Sequence, residues 1–214
     1  MRLDSPLLRV CLVAGLFVAC NKDDPKSTST PAADVSRKAR VLPKSGEVWG
    51  RDLALGLSLS EHELCRELDS LDCISEAHRI TLGGVEPARL GIDEPLETTP
   101  VSAPIAADRV ALSACSLRYE KDLSGTAVVF GPVLDAPAAT NPDRPFAPDP
   151  SVEARAAVSE SLVERLLARA PNADELAALE ALHSDLQDVS SDPTRDWCIG
   201  ACMVVATSTE ALFY

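Results

Sequence analysis

Leu166-Leu167-Ala168-Arg169-Ala170-Pro171-Asn172-Ala173-Asp174-Glu175-Leu176 closes one helix and opens the next. Pro171 removes a donor and fixes φ, so the helix before it stops there. Asn172 followed three residues later by Glu175 is a capping box that restarts the chain as a helix. Upstream, Ser151 caps a helix whose apolar face holds Val152, Val158, Leu162, Val163, Leu166 and Leu167. Downstream, the stripe is Leu176, Leu179, Leu182, Leu186 and Val189, with the ring of His183 placed at the surface. Asp192-Pro193 opens a third helix, Asp as cap and Pro in the first turn. Its Trp197, Ile199, Met203, Val204, Ala206, Leu212 and Phe213 face several directions. A helix that is apolar on most sides needs cover on most sides, so this one is predicted to be central. Three helices with short links make an antiparallel helical unit.

The rest of the chain extends that reading to a mainly α fold: an irregular helical domain with long Pro-rich loops. Ser60 and Glu63 form a second capping box, with Leu64 and Leu68 at helical spacing behind it. Gly83-Gly84 ends the next segment, and residues 85–101, with Pro87, Pro95 and Pro100, read as a loop. From Pro104, the spacing of Ile105, Val110, Leu112, Ala114, Cys115 and Leu117 predicts a well-buried helix that stops near Gly125. Thr126-Ala127-Val128-Val129-Phe130 reads as a short strand. Residues 131–150 hold six prolines and are expected to carry no helix. Aromatic residues are only 4% of a chain that is 46% hydrophobic, so the core is expected to be Leu, Val and Ala, which suits helices.

The first twenty residues have a different design. Arg2 and Arg9 precede a ten-residue apolar run, Val10 to Ala19, which ends at Cys20 and gives way at once to polar Asn21. That is the layout of a secretory signal peptide, and the run is half the roughly twenty residues a membrane span needs. Val18-Ala19-Cys20, with Leu16 and Phe17 before it, resembles a bacterial lipoprotein processing site. The resemblance implies cleavage after residue 19, acylation of Cys20 and a membrane contact made through that anchor. Asn21 stands where an Asp would favour inner-membrane retention, which favours the outer membrane. Residues 20–46 are expected to be the lipidated cysteine and a disordered tether, because Asn21 to Pro31 has nothing apolar to bury. Residues 47–214 are expected to form a single helical domain, with order beginning near Val48-Trp49.

Removal of residues 1–19, which carry Arg2, Arg9 and Asp4, leaves 195 residues with 18 basic and 32 acidic side chains, a formal charge of −14. That balance argues against nucleic acid, whose binding is largely phosphate neutralisation, and against adhesion to anionic lipid. Five cysteines remain after Cys11 and Cys20. In an exported chain disulfides are the default, and an odd count leaves one thiol over. Cys198 and Cys202 sit four apart on one predicted helix, a poor geometry for a bridge. The expected pairs are Cys65–Cys73 and Cys115–Cys202, with Cys198 buried and free.

His62, Cys65, Cys73 and His78 are the candidates for a metal site. Their spacing matches no familiar pattern and a disulfide consumes both thiols, so no metal and no cofactor are expected. The Cys-x-x-Cys-His of a covalent haem is absent, as are a nucleophile elbow and a Gly-rich phosphate loop. His78 with Cys115 is the catalytic combination that stays open. Glu153, Glu160, Asp174 and the other carboxylates read as solvated.

Arg169, Pro171, Glu175 and Leu176, together with Ser208, Glu210 and Leu212, resemble the C-terminal helices of secreted families of unknown function that occur beside cytochrome c modules in planctomycetes and myxobacteria. Ala211 stands where those families usually carry an aromatic residue. Leu71-Asp72-Cys73 through His78-Arg79 to Gly83-Gly84 resembles myxobacterial lipoproteins of unknown role. These resemblances cover about the last fifty residues and one middle segment; they imply a cell-envelope setting and carry over no catalytic residue. The expectation is a lipid-anchored envelope protein, a non-catalytic structural or binding component that serves a protein partner in a larger assembly. An accessory to a cytochrome-associated electron-transfer system and a hydrolase are the alternatives.

Overall fold

A computed structural model of the chain describes residues 41–96, 98–135 and 150–214. Cys20 and the rest of residues 1–40 lie outside the described residues, as do 136–149 of the Pro-rich loop. The body begins earlier than Val48. Residues 41–46, assigned above to the tether, pair with the C-terminus: Lys44 N–H donates to Leu212 O at 2.8 Å and Tyr214 N–H to Leu42 O at 2.9 Å. Pro43 and Phe213 form an antiparallel bridge between them.

Helix α1 (Gly46–Leu57) follows directly, its Val48 N–H capped by the Ser45 hydroxyl at 3.4 Å. Trp49, Leu53, Ala54 and Leu57 are its buried face. A Cβ at Gly56 would stand 2.7 Å from Leu166 Cδ2 and 2.9 Å from the Arg165 carbonyl, so only glycine lets α1 approach so closely.

The capping box at Ser60 starts a single turn, Glu61–Glu63, and no longer helix. The Glu63 carboxylate takes the Ser60 N–H at 3.2 Å and its hydroxyl at 2.9 Å. Strands β1 (Arg66–Glu67) and β2 (Leu71–Asp72) then form a small antiparallel hairpin. Its turn places Leu68 and Asp69 at positive φ, 52° and 59°, and leaves Leu68 exposed. The Cys65–Cys73 disulfide, with Cα atoms 5.4 Å apart, closes the base. That cross-link overrides the helical spacing of Leu64 and Leu68, because a helix would carry two residues eight apart about 12 Å from each other. Asp72 then caps a wide π-type turn, Cys73–Ala77, by accepting the N–H groups of Ile74 and Ser75. The 85–101 loop contains one helical turn, α2 (Pro87–Leu90), closed by Gly91 at φ 64°.

Helix α3 (Ala103–Ser124) ends at Gly125. Val110, Ala111, Ala114 and Cys115 are fully buried, whereas Ile105 and Leu112, counted above with the buried face, are exposed. Residues 126–130 are a bent loop instead of a strand. Among the described residues they pair with no strand, and the N–H groups of Val128, Val129 and Phe130 are taken by a side chain described below. A helical turn, α4 (Gly131–Leu134), follows inside the Pro-rich segment, because Pro132 occupies the first turn, where its missing N–H costs nothing.

The C-terminal part contains α5 (Val152–Leu167), α6 (Ala173–Val189) and α7 (Pro193–Ala206), packed on one another. Ser151, Asn172 and Asp192 cap them, and Asn172 with Glu175 makes the reciprocal box with both contacts at 2.9 Å. Val152 and Val189 are exposed at the helix ends. Helix α7 touches α3, α5 and α6 and is buried along most of its length. It ends at Thr207, and Ser208 caps a separate last turn, α8 (Thr209–Leu212). The Cys115–Cys202 disulfide joins α3 to α7 across 87 residues of sequence. No helix among the described residues is long and apolar enough to cross a membrane.

Candidate functional site

The start and the end of the body meet at an apolar cleft of about 300 Å³. One wall is the strap Pro43–Gly46 with Leu212 and Phe213, held by the backbone pairing just described. A second is Thr81–Gly83. The third is the loop of Pro95, Leu96, Thr98, Thr99 and Pro100 running into the first turns of α3. Trp49 also lines it, with its ring fixed because the indole N–H donates to Ala206 O at 3.0 Å. Lys44 is the only ionisable side chain among the described lining residues. Its ammonium sits 3.0 Å from Asp52 Oδ2 and 5.8 Å from the centre of the Tyr214 ring. The hydroxyls of Ser45, Thr81, Thr98 and Thr99 are neutral polar groups of the lining, that of Ser45 already capping α1. The size is at the lower end of small-molecule pockets, and a mostly apolar wall with a few polar groups is their usual construction.

The ionisable clusters lie elsewhere and are closed on themselves. Asp122 is buried, against the expectation that the carboxylates are solvated. Its Oδ1 accepts from Arg118 at 2.7 Å and from Val128 N–H at 2.8 Å, and its Oδ2 accepts from Val129 and Phe130 at 2.9 and 2.8 Å. This carboxylate is what bends residues 126–130 and replaces the strand. The signal was in the sequence: an Asp just before an apolar stretch that has no strand to pair with.

Arg169 joins Glu175 at 2.6 Å and Glu210 at 2.7 Å, so the α5–α6 link, the start of α6 and α8 meet at one guanidinium. The hydrogen bonds from Arg169, and then the Asn172 N–H, hold Glu175 down at about 2. Glu63 is likewise held at about 2, by Lys121 first and then Ser60. Arg155 grips both carboxylate oxygens of Glu180 and the Pro150 carbonyl.

Among the candidate metal ligands, Cys65 and Cys73 are bonded to each other and offer no thiolate. His78 Nε2 contacts Glu67 Oε1 at 2.9 Å, and Arg109 approaches the same oxygen at 3.1 Å. His62 lies on the exposed turn after α1. Among the described residues no three His, Cys, Asp or Glu side chains converge as a metal site. The His78 and Cys115 combination does not form, since Cys115 is disulfide-bonded to Cys202. Cys198 is a buried free thiol, and burial pushes its ionisation well above the usual thiol range. His183 is buried, not on the surface: its ring meets Trp197 edge-on at 6.0 Å and contacts Gln187 at 3.0 Å. A leucine-rich helix covered by the bulky Trp197 of α7 leaves that position little access to solvent.

The cleft itself escaped the sequence reading. Its walls come from segments read as tether and loop, neither of which has a periodicity to follow. The available hint was Leu96 and Val101, apolar residues in a Pro- and Thr-rich loop where no core requires them. Comparison with protein-family models, with curated proteins and with solved structures finds no match to this chain.

Proposed function

We propose that this chain is a lipid-anchored, non-catalytic binding component of the bacterial cell envelope, held in the outer membrane by acyl groups on Cys20 and serving a larger envelope assembly. The apolar cleft carries the reading. A binding function needs a preformed concavity with few polar groups, and the cleft supplies one at the end of the body nearest Cys20 in the chain. Chemistry needs a nucleophile or base facing the space where a substrate sits. Among the described residues, His78 is hydrogen-bonded to Glu67, Cys198 is buried in the core, and Asp122 is held by Arg118 and residues 128–130. Ser45, the serine in the cleft wall, caps α1.

The test is the mass of the N-terminal peptide of the native protein extracted from envelopes. The expected result is Cys20 as the first residue, carrying acyl chains, and release of a Cys20→Ser variant from the membrane fraction. An unmodified Cys20 in membrane-bound protein overturns the proposal.

A further inference from the structure

We infer that the cleft and its rim form the face on which this protein rests against its own membrane, with one acyl chain of a neutral bilayer lipid as the occupant of the cleft. The inference depends on the anchor at Cys20 proposed above.

The first argument is position. Twenty residues, 21–40, separate Cys20 from Val41, a covalent reach of at most about 70 Å. The chain enters the body at Val41 and lines the cleft two residues later, at Pro43. No part of the body is nearer along the chain to the anchor than this wall.

The second is where apolar surface is left in water. Val41, Leu42, Leu96, Val101, Ile105 and Tyr214 are all exposed, Val101 at 96%; other exposed apolar side chains, such as Leu55, Leu68, Val189 and Val204, are spread over the rest of the body. Leu96 lines the cleft, and Val41, Leu42, Val101, Ile105 and Tyr214 are each within two residues of a lining residue: Pro43, Pro100, Pro104 or Phe213. Exposed apolar residues adjoining, in sequence, the lining of an apolar hollow favour an interaction site there. Side chains that enter a bilayer regain the transfer free energy that exposure forfeits.

The third is charge. Lys44 is committed to Asp52 and the Tyr214 ring, and the mature chain carries a formal −14. Anionic headgroups are therefore repelled and not recruited, which points to a neutral lipid. The hydroxyls of Thr81, Thr98 and Thr99 can donate to ester carbonyls. A peptide is a poorer fit, because strand addition needs free backbone groups. On the strap, Lys44 N–H and Leu42 O are already paired with the C-terminus.

Trp49 makes the inference measurable. Trp49 is itself only 3% exposed but forms part of the cleft wall, whereas Trp197, the other of the two tryptophans, lies in the core, held to Leu179 O at 2.7 Å. The probe is a vesicle of phosphatidylcholine with brominated acyl chains, which quench a tryptophan only on close approach. The chain from residue 21 onward contains every described element; exported behind another leader, it carries no acyl group of its own. The expected result is loss of up to roughly half the emission on vesicle addition, since one tryptophan of two lies in the wall the acyl chain would touch. Replacing Val101→Glu together with Ile105→Glu, both exposed, should weaken vesicle partitioning by about tenfold or more while the fold stays intact. Emission and sedimentation unchanged by vesicles overturn the inference, and so does quenching by a brominated leucine-rich peptide with none by lipid. The mass of native Cys20 is read separately: an unmodified Cys20 removes the anchor and this inference with it. An acylated Cys20 on a protein that ignores vesicles removes this inference alone.

Discussion

Around α7, Trp197, Ala201, Cys202 and the facing Cys115 have no exposed surface, and the neighbouring carboxylate of Asp122 has all its acceptor positions filled. Around the cleft, Leu96 and Val101 on a Pro-containing loop and Ile105 in the first turn of α3 stand in water. One region turns most of its apolar surface inward and fills the acceptor positions of its buried carboxylate. The other leaves apolar groups without cover. Folding alone accounts for the first arrangement, whereas the second costs solubility and returns nothing unless something covers it. Under the proposed reading, that difference separates a binding cleft from a stabilising helical core, and it can be broken by perturbing each region separately.

The largest effect is expected at the core cross-link. In the chain-entropy account, a bridge spanning 87 residues stabilises by about 4.6 kcal/mol and one spanning 8 by about 2.6 kcal/mol. The paired variant Cys115→Ala with Cys202→Ala should therefore lose more stability in urea than Cys65→Ala with Cys73→Ala. A smaller loss from the Cys115–Cys202 pair would show that α3 and α7 hold together without the bridge, and the core would lose its place as the stabilising region.

Next comes Asp122. Asp122→Ala leaves the Arg118 charge buried beside three N–H groups that have lost their acceptor, a loss of about 3 to 5 kcal/mol. Thermal melts in parallel with the Val101→Glu, Ile105→Glu variant sharpen the contrast. The first should drop far, and the second should stay near the parent because both residues are exposed. Equal losses would erase the division between the two regions.

How much of this was legible depended on whether a residue's partner lay nearby in sequence. The Asn172–Glu175 box, the Asp192-Pro193 start and the apolar periodicities are local, and the helices they predict are there. The same local logic placed a helix after Ser60, where the Cys65–Cys73 bond imposes a hairpin from outside the helical pattern. Residues 126–130 carry strand-forming side chains, yet a carboxylate one turn back on α3 takes the N–H groups of 128–130, and among the described residues no strand pairs with them. His183 reads as surface until Trp197, fourteen residues on, covers it. The cleft was least legible, because its three walls come from opposite ends of the chain and a loop.

The smallest expected effect concerns the clip that joins the two phrases of the C-terminal resemblance. Arg169 holds Glu175 at about 2 against an ordinary 4.5, and it also lowers Glu210. A carboxylate whose folded value is depressed contributes stability that is present above its unfolded value and withdrawn as pH falls through the folded one. The clip should therefore act in full above pH 4.5 and fade toward pH 2. Glu175→Gln keeps a side chain that can still serve the capping box at Asn172 but removes the charge facing Arg169. Its melting temperature should sit slightly below the parent at pH 7 and converge with it as the pH approaches 2. All the partners are at the surface, so the gap should also narrow in high salt. A gap that persists unchanged at pH 2 would mean that the side chain acts through the cap and not through Arg169. The Arg169 clip would then rest on Glu210 alone.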